Sequence, residues 1–458
     1  MNILILGAGQ VGTTAAYHLA REEANEVTIV DADASKLRDI QDRLDVRTVV
    51  GHASFPDVLE RAGARDADMI IALTNSDEIN MIACQIAYTL FQTPTKIARI
   101  RAAEYIQSES LWQQAAVPVD FRISPEELVT AHIEQLIHYP GAFQVLEFAN
   151  GAVRLVGARA HRDGLLVGQQ IKTLKEHIPG IEMRIAAIYR NGKSISPDGS
   201  TLIQEDDEVF FIAAREDIRV VMSEMRKLED PVRHVVIAGG GNIGFRLASA
   251  LEQTNRVKVI ERSKERARVI SERLSKAIVL HGDAADEELL LEENIDTSDI
   301  FVALTNAEEA NILSAMVAKQ LGCKKVMALI NRPSYAEMVE SGTIDVAISP
   351  QQITIGSLLE HVRRGDVVKV HSLRRGRAEA IEAIAHGTAG ESKVVGRAVE
   401  EIPLPAGTSI SVIIREGKVM QAHRDTIVET DDHIILFITD RRHTDEVERL
   451  FQEDVKFR

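Results

Sequence analysis

Six glycines in two matching sets have a spacing that points to chemistry. Gly7-Ala8-Gly9-Gln10-Val11-Gly12 directly follows the apolar run Ile3–Leu6 and opens a helical pattern through Val11, Ala15, Ala16 and Leu19. A strand that passes through G-x-G-x-x-G into a helix is a dinucleotide-binding fingerprint. The first glycine allows the tight turn. The second lets the backbone approach a pyrophosphate at the helix N-terminus, and the third lets helix and strand pack closely. Asp31 ends the next apolar run, at the place downstream of the loop where the fingerprint calls for an acid. A carboxylate there accepts both hydroxyls of an adenosine ribose and repels a 2′-phosphate. Ala32-Asp33 supplies no arginine to receive such a phosphate, so NAD(H) is expected over NADP(H). Gly239-Gly240-Gly241-Asn242-Ile243-Gly244 repeats the spacing, with Glu261 at the corresponding place after the next run. Arg262 follows that glutamate, so a 2′-phosphate is less clearly excluded at the second site.

Other residues fall at the same edge by topology. Thr74-Asn75 and Thr305-Asn306 follow the fourth apolar run of each copy, where open α/β sheets bind ligands. They are candidates to bond phosphate or ribose, and equally to cap the next helix. Arg99 and Arg101 end the fifth run, where an arginine clamps phosphate or neighbours an adenine; the alternative for Arg99 is a surface ion pair. With Tyr105 aligned on Tyr335, the second copy carries Leu329 and Asn331 instead. The two sites are therefore expected to differ in ligand or affinity, and Gly51-His52-Ala53 against Gly282-Asp283-Ala284 points the same way.

No catalytic and no metal-ligating residue is assigned. A dehydrogenase needs a proton donor facing the nicotinamide, and no cluster of His, Lys or Cys offers one. The chain has no Walker A sequence, no HExxH and no paired-Cys ligand set. Binding without turnover is the expectation, and an NAD-dependent oxidoreductase of unknown substrate is the alternative. A redox-sensing DNA-binding repressor is disfavoured by the lack of a basic reading helix.

The elements that must position these residues are written twice. Asn2–Gly12 recurs as His234–Gly244, and Asp68-Met-Ile-Ile-Ala-Leu-Thr-Asn75 recurs as Asp299-Ile-Phe-Val-Ala-Leu-Thr-Asn306. Ile123-Ser-Pro125, Gly192-Lys193 and Asp206-Asp207 recur, in the same order, as Ile348-Ser-Pro350, Gly417-Lys418 and Asp431-Asp432. In the first copy Ile3–Leu6, Val27–Val30, Thr48–Val50, Met69–Ala72 and Lys96–Ile100 are continuous apolar runs separated by helical patterns. Such runs predict buried parallel strands covered by helices on both faces. A helix follows Pro125, with Leu128, Val129, His132, Ile133, Leu136 and Ile137 on one stripe, and another follows Pro350. Each is a core helix or a dimer-contact helix. Ile185–Tyr189, Asn191-Gly192 and Val209–Ala213 predict strands around a tight hairpin, repeated at Glu416-Gly417 and His433–Thr439.

The predicted fold class is α/β: two Rossmann-like doubly wound parallel sheets, each followed by a small α+β domain. The expected divisions are 1–123 and 232–348 for the nucleotide-binding domains, 124–142 and 349–366 for the crossover helices, and 143–228 and 367–453 for the small domains. The joins lie around Tyr139-Pro-Gly141, Leu228-Glu-Asp-Pro231 and Arg363-Arg-Gly365.

Composition bounds the partners. The 458 residues carry 53 Lys plus Arg against 69 Asp plus Glu, a formal charge of −16. Phosphate backbones and anionic headgroups repel such a chain, so nucleic acid is not an expected partner. Two cysteines read as reduced cytosolic thiols. No apolar run reaches the roughly 18 residues of a membrane span, so any membrane role is expected to be peripheral.

The paired units resemble the bacterial Trk system potassium uptake family, TrkA, in which each pair is an RCK module, the regulator of potassium conductance. The resemblance covers nearly the whole chain. It rests on Ile5–Gly12, Ala72-Leu-Thr-Asn75, Asp77-Glu78-x-Asn80-Met81, Ala98-Arg-Ile-Arg101, Tyr139-Pro-Gly141 and His371-Ser-Leu-Arg-Arg-Gly376. It implies a cytosolic subunit on the inner membrane that forms a ring, as a homo-oligomer expected to be tetrameric. It also implies an integral-membrane potassium translocating partner whose pore the ring gates. By that match Gly7–Val11, Asp31, Thr74, Asn75 and Arg99 form a first site for NAD(H), and Gly239–Ile243 with Glu261 form a second. ATP or ADP is a further candidate at the same or the second site.

Overall fold

A computed structural model describes residues 1–21, 25–113, 115–195, 197–227, 230–332, 335, 343–362, 367–373 and 378–451. Three of the expected features fall wholly or partly outside them: the join at 228–229, the join at 363–365 and the segment 374–376.

The first sheet is built from β1 (Asn2–Leu6), β2 (Glu26–Asp31), β3 (Arg47–Val50), β4 (Met69–Ala72), β5 (Thr95–Arg99) and β6 (Phe121–Ile123). All pair in parallel, in the order β3-β2-β1-β4-β5-β6. Ile3 to Leu6 and Met69 to Ala72 are buried throughout, as strands covered on both faces must be. β6 gives no apolar run, because only Ile123 of its three residues is buried.

The small sheet that follows contains β7 (Ala142–Phe148), β8 (Val153–Arg159), β9 (Met183–Arg190), β10 (Lys193–Ile195) and β11 (Glu208–Ala214). It is antiparallel, in the order β10-β9-β11-β8-β7. Asn191 and Gly192 turn its hairpin with φ of 49° and 77°, and Glu416 and Gly417 do so in the second copy with 49° and 77°. Two left-handed residues match the twist of the flanking strands. The repeated Asp-Asp pair also has a structural role. Fully buried Asp207 takes both Arg190 Nε and Nη2 at 2.8 Å, and Asp432 takes Arg415 in the same two bonds.

The second large sheet repeats the first with β12 (His234–Ala238), β13 (Arg256–Glu261), β14 (Ile278–His281), β15 (Ile300–Ala303), β16 (Lys325–Leu329) and β17 (Val346–Ile348), ordered β14-β13-β12-β15-β16-β17. The last sheet holds β18 (Val367–Leu373), β19 (Ala378–Ile384), β20 (Thr408–Arg415), β21 (Lys418–Gln421) and β22 (His433–Ile438). The fold is thus two Rossmann-like doubly wound sheets, each followed by a small α+β domain.

Compactness does not follow the repeat. One unit joins Met1–Val129 to Ser349–His361, and the other joins Thr130–Ile348 to Val362–Arg458. In the first unit, the helix Pro350–Val362 from the second copy lies against the first copy's sheet and helices. Gln351 Nε2 donates to Gln10 O at 3.2 Å and to Thr14 Oγ1, and His361 stacks on Phe121 with centroids 4.0 Å apart. In the second unit the two small sheets share one core around Phe148, Phe210, Leu373 and Phe437. Each small sheet has a second apolar face that must be covered, and the other sheet covers it.

Both thiols lie in the Rossmann cores. Burial pushes Cys84 and Cys323 each up to about 12. Thiolate is the reactive form, so neither should react with Ellman's reagent at pH 8 in the folded protein. Both should react once denaturant is added, and rapid labelling of either without denaturant would contradict the burial.

Candidate functional site

The site is built where β1, lying between β2 and β4, delivers its chain to a helix. Gly7 turns with φ of +106° and Gly239 with +103°, a region L side chains rarely enter. Gly12 closes the loop from below, since a Cβ there would lie 1.8 Å from Gly7 O; at Gly244 the matching distance to Gly239 O is 1.9 Å. Gly9 and Gly241 are different. A Cβ on either meets nothing within 4 Å, so both face open space in front of their helices. The helices Gln10–Leu19 and Asn242–Leu251 start at Gly9 and Gly241 with no side chain capping the first turn. By contrast Asp33, Ser76, Ser263 and Asp286 each cap their helices with a side-chain oxygen. Uncapped N–H groups facing open space are the arrangement that receives anions at helix N-termini. Gln10, Val11, Asn242 and Ile243 supply those first turns, with Gln10 and Asn242 exposed.

The two acids sit where the spacing put them, and they are already engaged. Asp31 Oδ2 accepts the Ala8 N–H at 2.7 Å and Oδ1 accepts the Asp33 N–H at 2.8 Å. Glu261 Oε2 accepts the Gly240 N–H at 2.7 Å and Oε1 the Ser263 N–H at 2.7 Å. Each carboxylate therefore ties the glycine loop to the turn after the second strand. Each oxygen keeps lone-pair capacity for a sugar hydroxyl.

On the other side of the loop, Thr74 N and Oγ1 both donate to Asn80 Oδ1, at 2.9 and 2.7 Å. Asn80 Nδ2 donates to Arg99 O at 2.9 Å, joining the end of β4 to the end of β5. Thr305, Asn311 and Leu329 O repeat this triangle. The capping alternative for Thr74-Asn75 is corrected: Ser76, one residue later, is the cap, accepting from Ile79 N at 3.3 Å. Asn75 is exposed, and its carbonyl accepts from Arg101 Nη2. The sequence shows Asn80 within a motif but not its bonds, and the signal it offers is that the same residue type recurs as Asn311 on the buried face of the matching helix.

Arg99 is half-buried, and its Nε has no hydrogen-bond partner. Burial chiefly, with Arg101 nearby, holds its guanidinium below the usual arginine range. Among the described residues the ion pair at this edge is made by Arg101 rather than Arg99, with Arg101 Nε 3.6 Å from Asp77 Oδ1. The second copy places an arginine one residue further on: Arg332, matched to Ala102, pairs with Glu308 at 3.4 Å and Glu309 at 3.2 Å. The second site instead gains Arg266, whose Nε donates to Gly240 O at 2.7 Å. The structure thus brings Gly7–Gly12, Asp31, Thr74 and Arg99 to one edge and Gly239–Gly244 with Glu261 to a second. Among the described residues no group of three or more His, Cys, Asp or Glu is placed to hold a metal.

The TrkA-N domain model matches residues 3–119 and 235–350, and the TrkA-C domain model matches 155–226 and 389–452. The chain is 58% identical over all of its own length and all of the relative's to the Trk system potassium uptake protein TrkA of Halomonas elongata. It is 56% identical to the protein of that name from Vibrio alginolyticus, over 99% of each chain. Among solved structures it resembles the GsuK channel bound to NAD, with a TM-score of 0.60 and 17% identity, over 98% of this chain and 78% of that one.

The glycine geometry yields a contrast within one loop. Gly12→Ala, which drives a methyl into a backbone carbonyl, should destabilise the protein by about 3 kcal/mol in a denaturant melt. Gly9→Ala should disturb the melt far less, because its methyl meets no atom and only an N-cap preference is lost, yet weaken nucleotide binding about tenfold by filling the open space before the helix. Equal destabilisation by the two would refute the assignment of open and closed glycines.

Proposed function

The chain belongs to the TrkA family of Trk system potassium uptake proteins, and from that premise we propose that it is the NAD(H)-binding regulatory subunit of such a system. On this reading it sits on the cytoplasmic face of the inner membrane, held by a membrane-embedded potassium translocating partner. Among the described residues no helix is long and apolar enough to cross a membrane, which fits attachment through a partner. Four copies form a ring, with six segments per chain divided at 123, 142, 228, 348 and 366. The observation that carries the reading is the pair of uncapped glycine-loop helices facing open space, each beside a tethered carboxylate.

Each residue has a definite task. The N–H groups after Gly9 and Gly241 hold the diphosphate, and Asp31 and Glu261 accept the adenosine ribose hydroxyls. Thr74, Asn75 and Arg99 border the first site on the β5 side, where ATP or ADP is a competing occupant. The bound nucleotide supplies no chemistry here; it supplies binding free energy that differs between two shapes of the ring. Such a ligand shifts a conformational equilibrium only by that difference. Charge of −16 suits docking to a partner whose cytoplasmic loops are rich in Lys and Arg.

Calorimetric titration of NADH into the purified protein tests the ligand, with absorbance at 340 nm followed in parallel. Binding should weaken at least about tenfold at the first site in Asp31→Ala, with no loss of absorbance. Steady oxidation would favour a dehydrogenase. Deleting the protein should lower potassium uptake by cells, and unchanged uptake would refute the transport assignment.

A further inference from the structure

The two sites solve one steric problem with different residues. Asp31 and Glu261 differ by one methylene, about 1.5 Å of reach. Yet each carboxylate ends on the same two backbone donors, at 2.7 and 2.8 Å for Asp31 and at 2.7 Å twice for Glu261. The extra length must be absorbed elsewhere. Where the first loop has Ala8, the second has Gly240. A Cβ on Gly240 would stand 3.1 Å from Glu261 Oε2, 3.4 Å from Glu261 Cβ and 2.4 Å from Ile270 Cδ1. Ile270 can rotate its end away. The Glu261 oxygen cannot retreat without stretching its bond to the Gly240 N–H. The first site carries the same residue type at the matching position, buried Ile40, and still accommodates Ala8. The longer acid and the missing methyl belong together.

We propose that residues 8 and 240 are positioning residues that set which acid can close each glycine loop. Ala8 with Asp31 and Gly240 with Glu261 are then interchangeable pairs, and both sites present the same carboxylate edge to an adenosine ribose with a free 2′-hydroxyl. The loop clamp stands on hydrogen bonds within the chain, while the ligand class rests on the nucleotide-binding reading. It gives the second site the same rejection of a 2′-phosphate as the first, despite Arg262.

Two readouts on the full-length protein separate the parts. Amide hydrogen exchange of the peptides spanning Leu6–Gly12 and Ala238–Gly244, without nucleotide, reads the clamp. NADH titration, with the other site disabled by Asp31→Ala or Glu261→Ala, reads the ligand edge. Asp31→Glu alone should speed exchange of the first loop and weaken NADH about tenfold. Adding Ala8→Gly should return both to within about threefold of the parent. Gly240→Ala should do the same damage at the second loop, and Glu261→Asp on top of it should repair that damage. Asp31→Glu behaving as the parent, or no repair in either double variant, overturns the pairing. NADPH binding at the second site as tightly as NADH overturns the shared edge. A parent that binds no NADH while the exchange pattern holds overturns the nucleotide reading and leaves the clamp in place.

Discussion

A helix that begins without a cap leaves its first N–H groups facing whatever stands in front of it, and the geometry of both large domains follows from keeping that space open. Four other helices of the same domains are capped by Asp33, Ser76, Ser263 and Asp286, while Pro56–Arg61, Ala103–Ile106 and Glu308–Gln320 also begin without a side-chain cap. What sets the two after the glycine loops apart is that the N-cap is itself a glycine, the one of its triplet that touches nothing. Orphan donors are tolerable at the surface because water or an anion satisfies them. Holding that end open requires a loop that turns sharply, touches its own helix and does not sag into the gap. Gly7 and Gly239 provide the turn, and Gly12 and Gly244 the contact. The carboxylates of Asp31 and Glu261 provide the tether. Asn80 and Asn311 fix the opposite wall, because a buried amide bonded to two strand ends costs too much to leave half-made.

How much of this is legible in the sequence depends on whether the constraint is local. The turns at Gly7 and Gly239 demand glycine at single positions, so spacing reveals them. β1 to β5 reveal themselves because a strand buried on both faces has to be apolar along its length. β6 escapes, with one buried residue in three and an edge position that asks little of the others. Asn80 is quoted in a motif, yet its bonds to Thr74 and to Arg99 O depend on β4 and β5 lying side by side, a fact of topology. The helix Pro350–Val362 shows why packing partners are the hardest to see. Its apolar stripe says that it must be covered and says nothing about which sheet covers it. That it lies in a unit with the first copy's sheet comes from the path of the chain.

Two copies in one chain act as an internal control, and their differences are not spread evenly. Around the acid the hydrogen bonds keep their donors and their lengths although the residues change. Around β5 the backbone triangle is kept, but the side chains that project from the strand end are not. Arg99 faces Leu329 in the alignment, and the nearest arginine of the second copy, Arg332, is tied to Glu308 and Glu309. The first copy also carries one more residue between its Asn80 helix and β5. It is taken up as a π-turn over Ala87–Phe91, ending in left-handed Gln92, where the second copy uses Gly322 with φ of +106°. One-residue insertions of this kind shift a helix end without breaking the strand after it. Divergence therefore lies on the β5 side of the glycine loop, and constancy lies on the side of the acid.

For a ligand to act at a distance, the element that feels it must belong to something that can move relative to it. The first glycine loop touches an element that belongs to the other copy. Gln10, at the head of its helix, accepts through its carbonyl a hydrogen bond from Gln351, a residue of the second copy. The helix that carries Gln351 runs to Val362, directly before the second small sheet. The head of the first glycine-loop helix is therefore bonded to a helix supplied by the second copy, through one side-chain amide shared between Gln10 and Thr14. Exchanging the helix places residues of the second copy beside the first glycine loop, within the unit that holds the first large sheet.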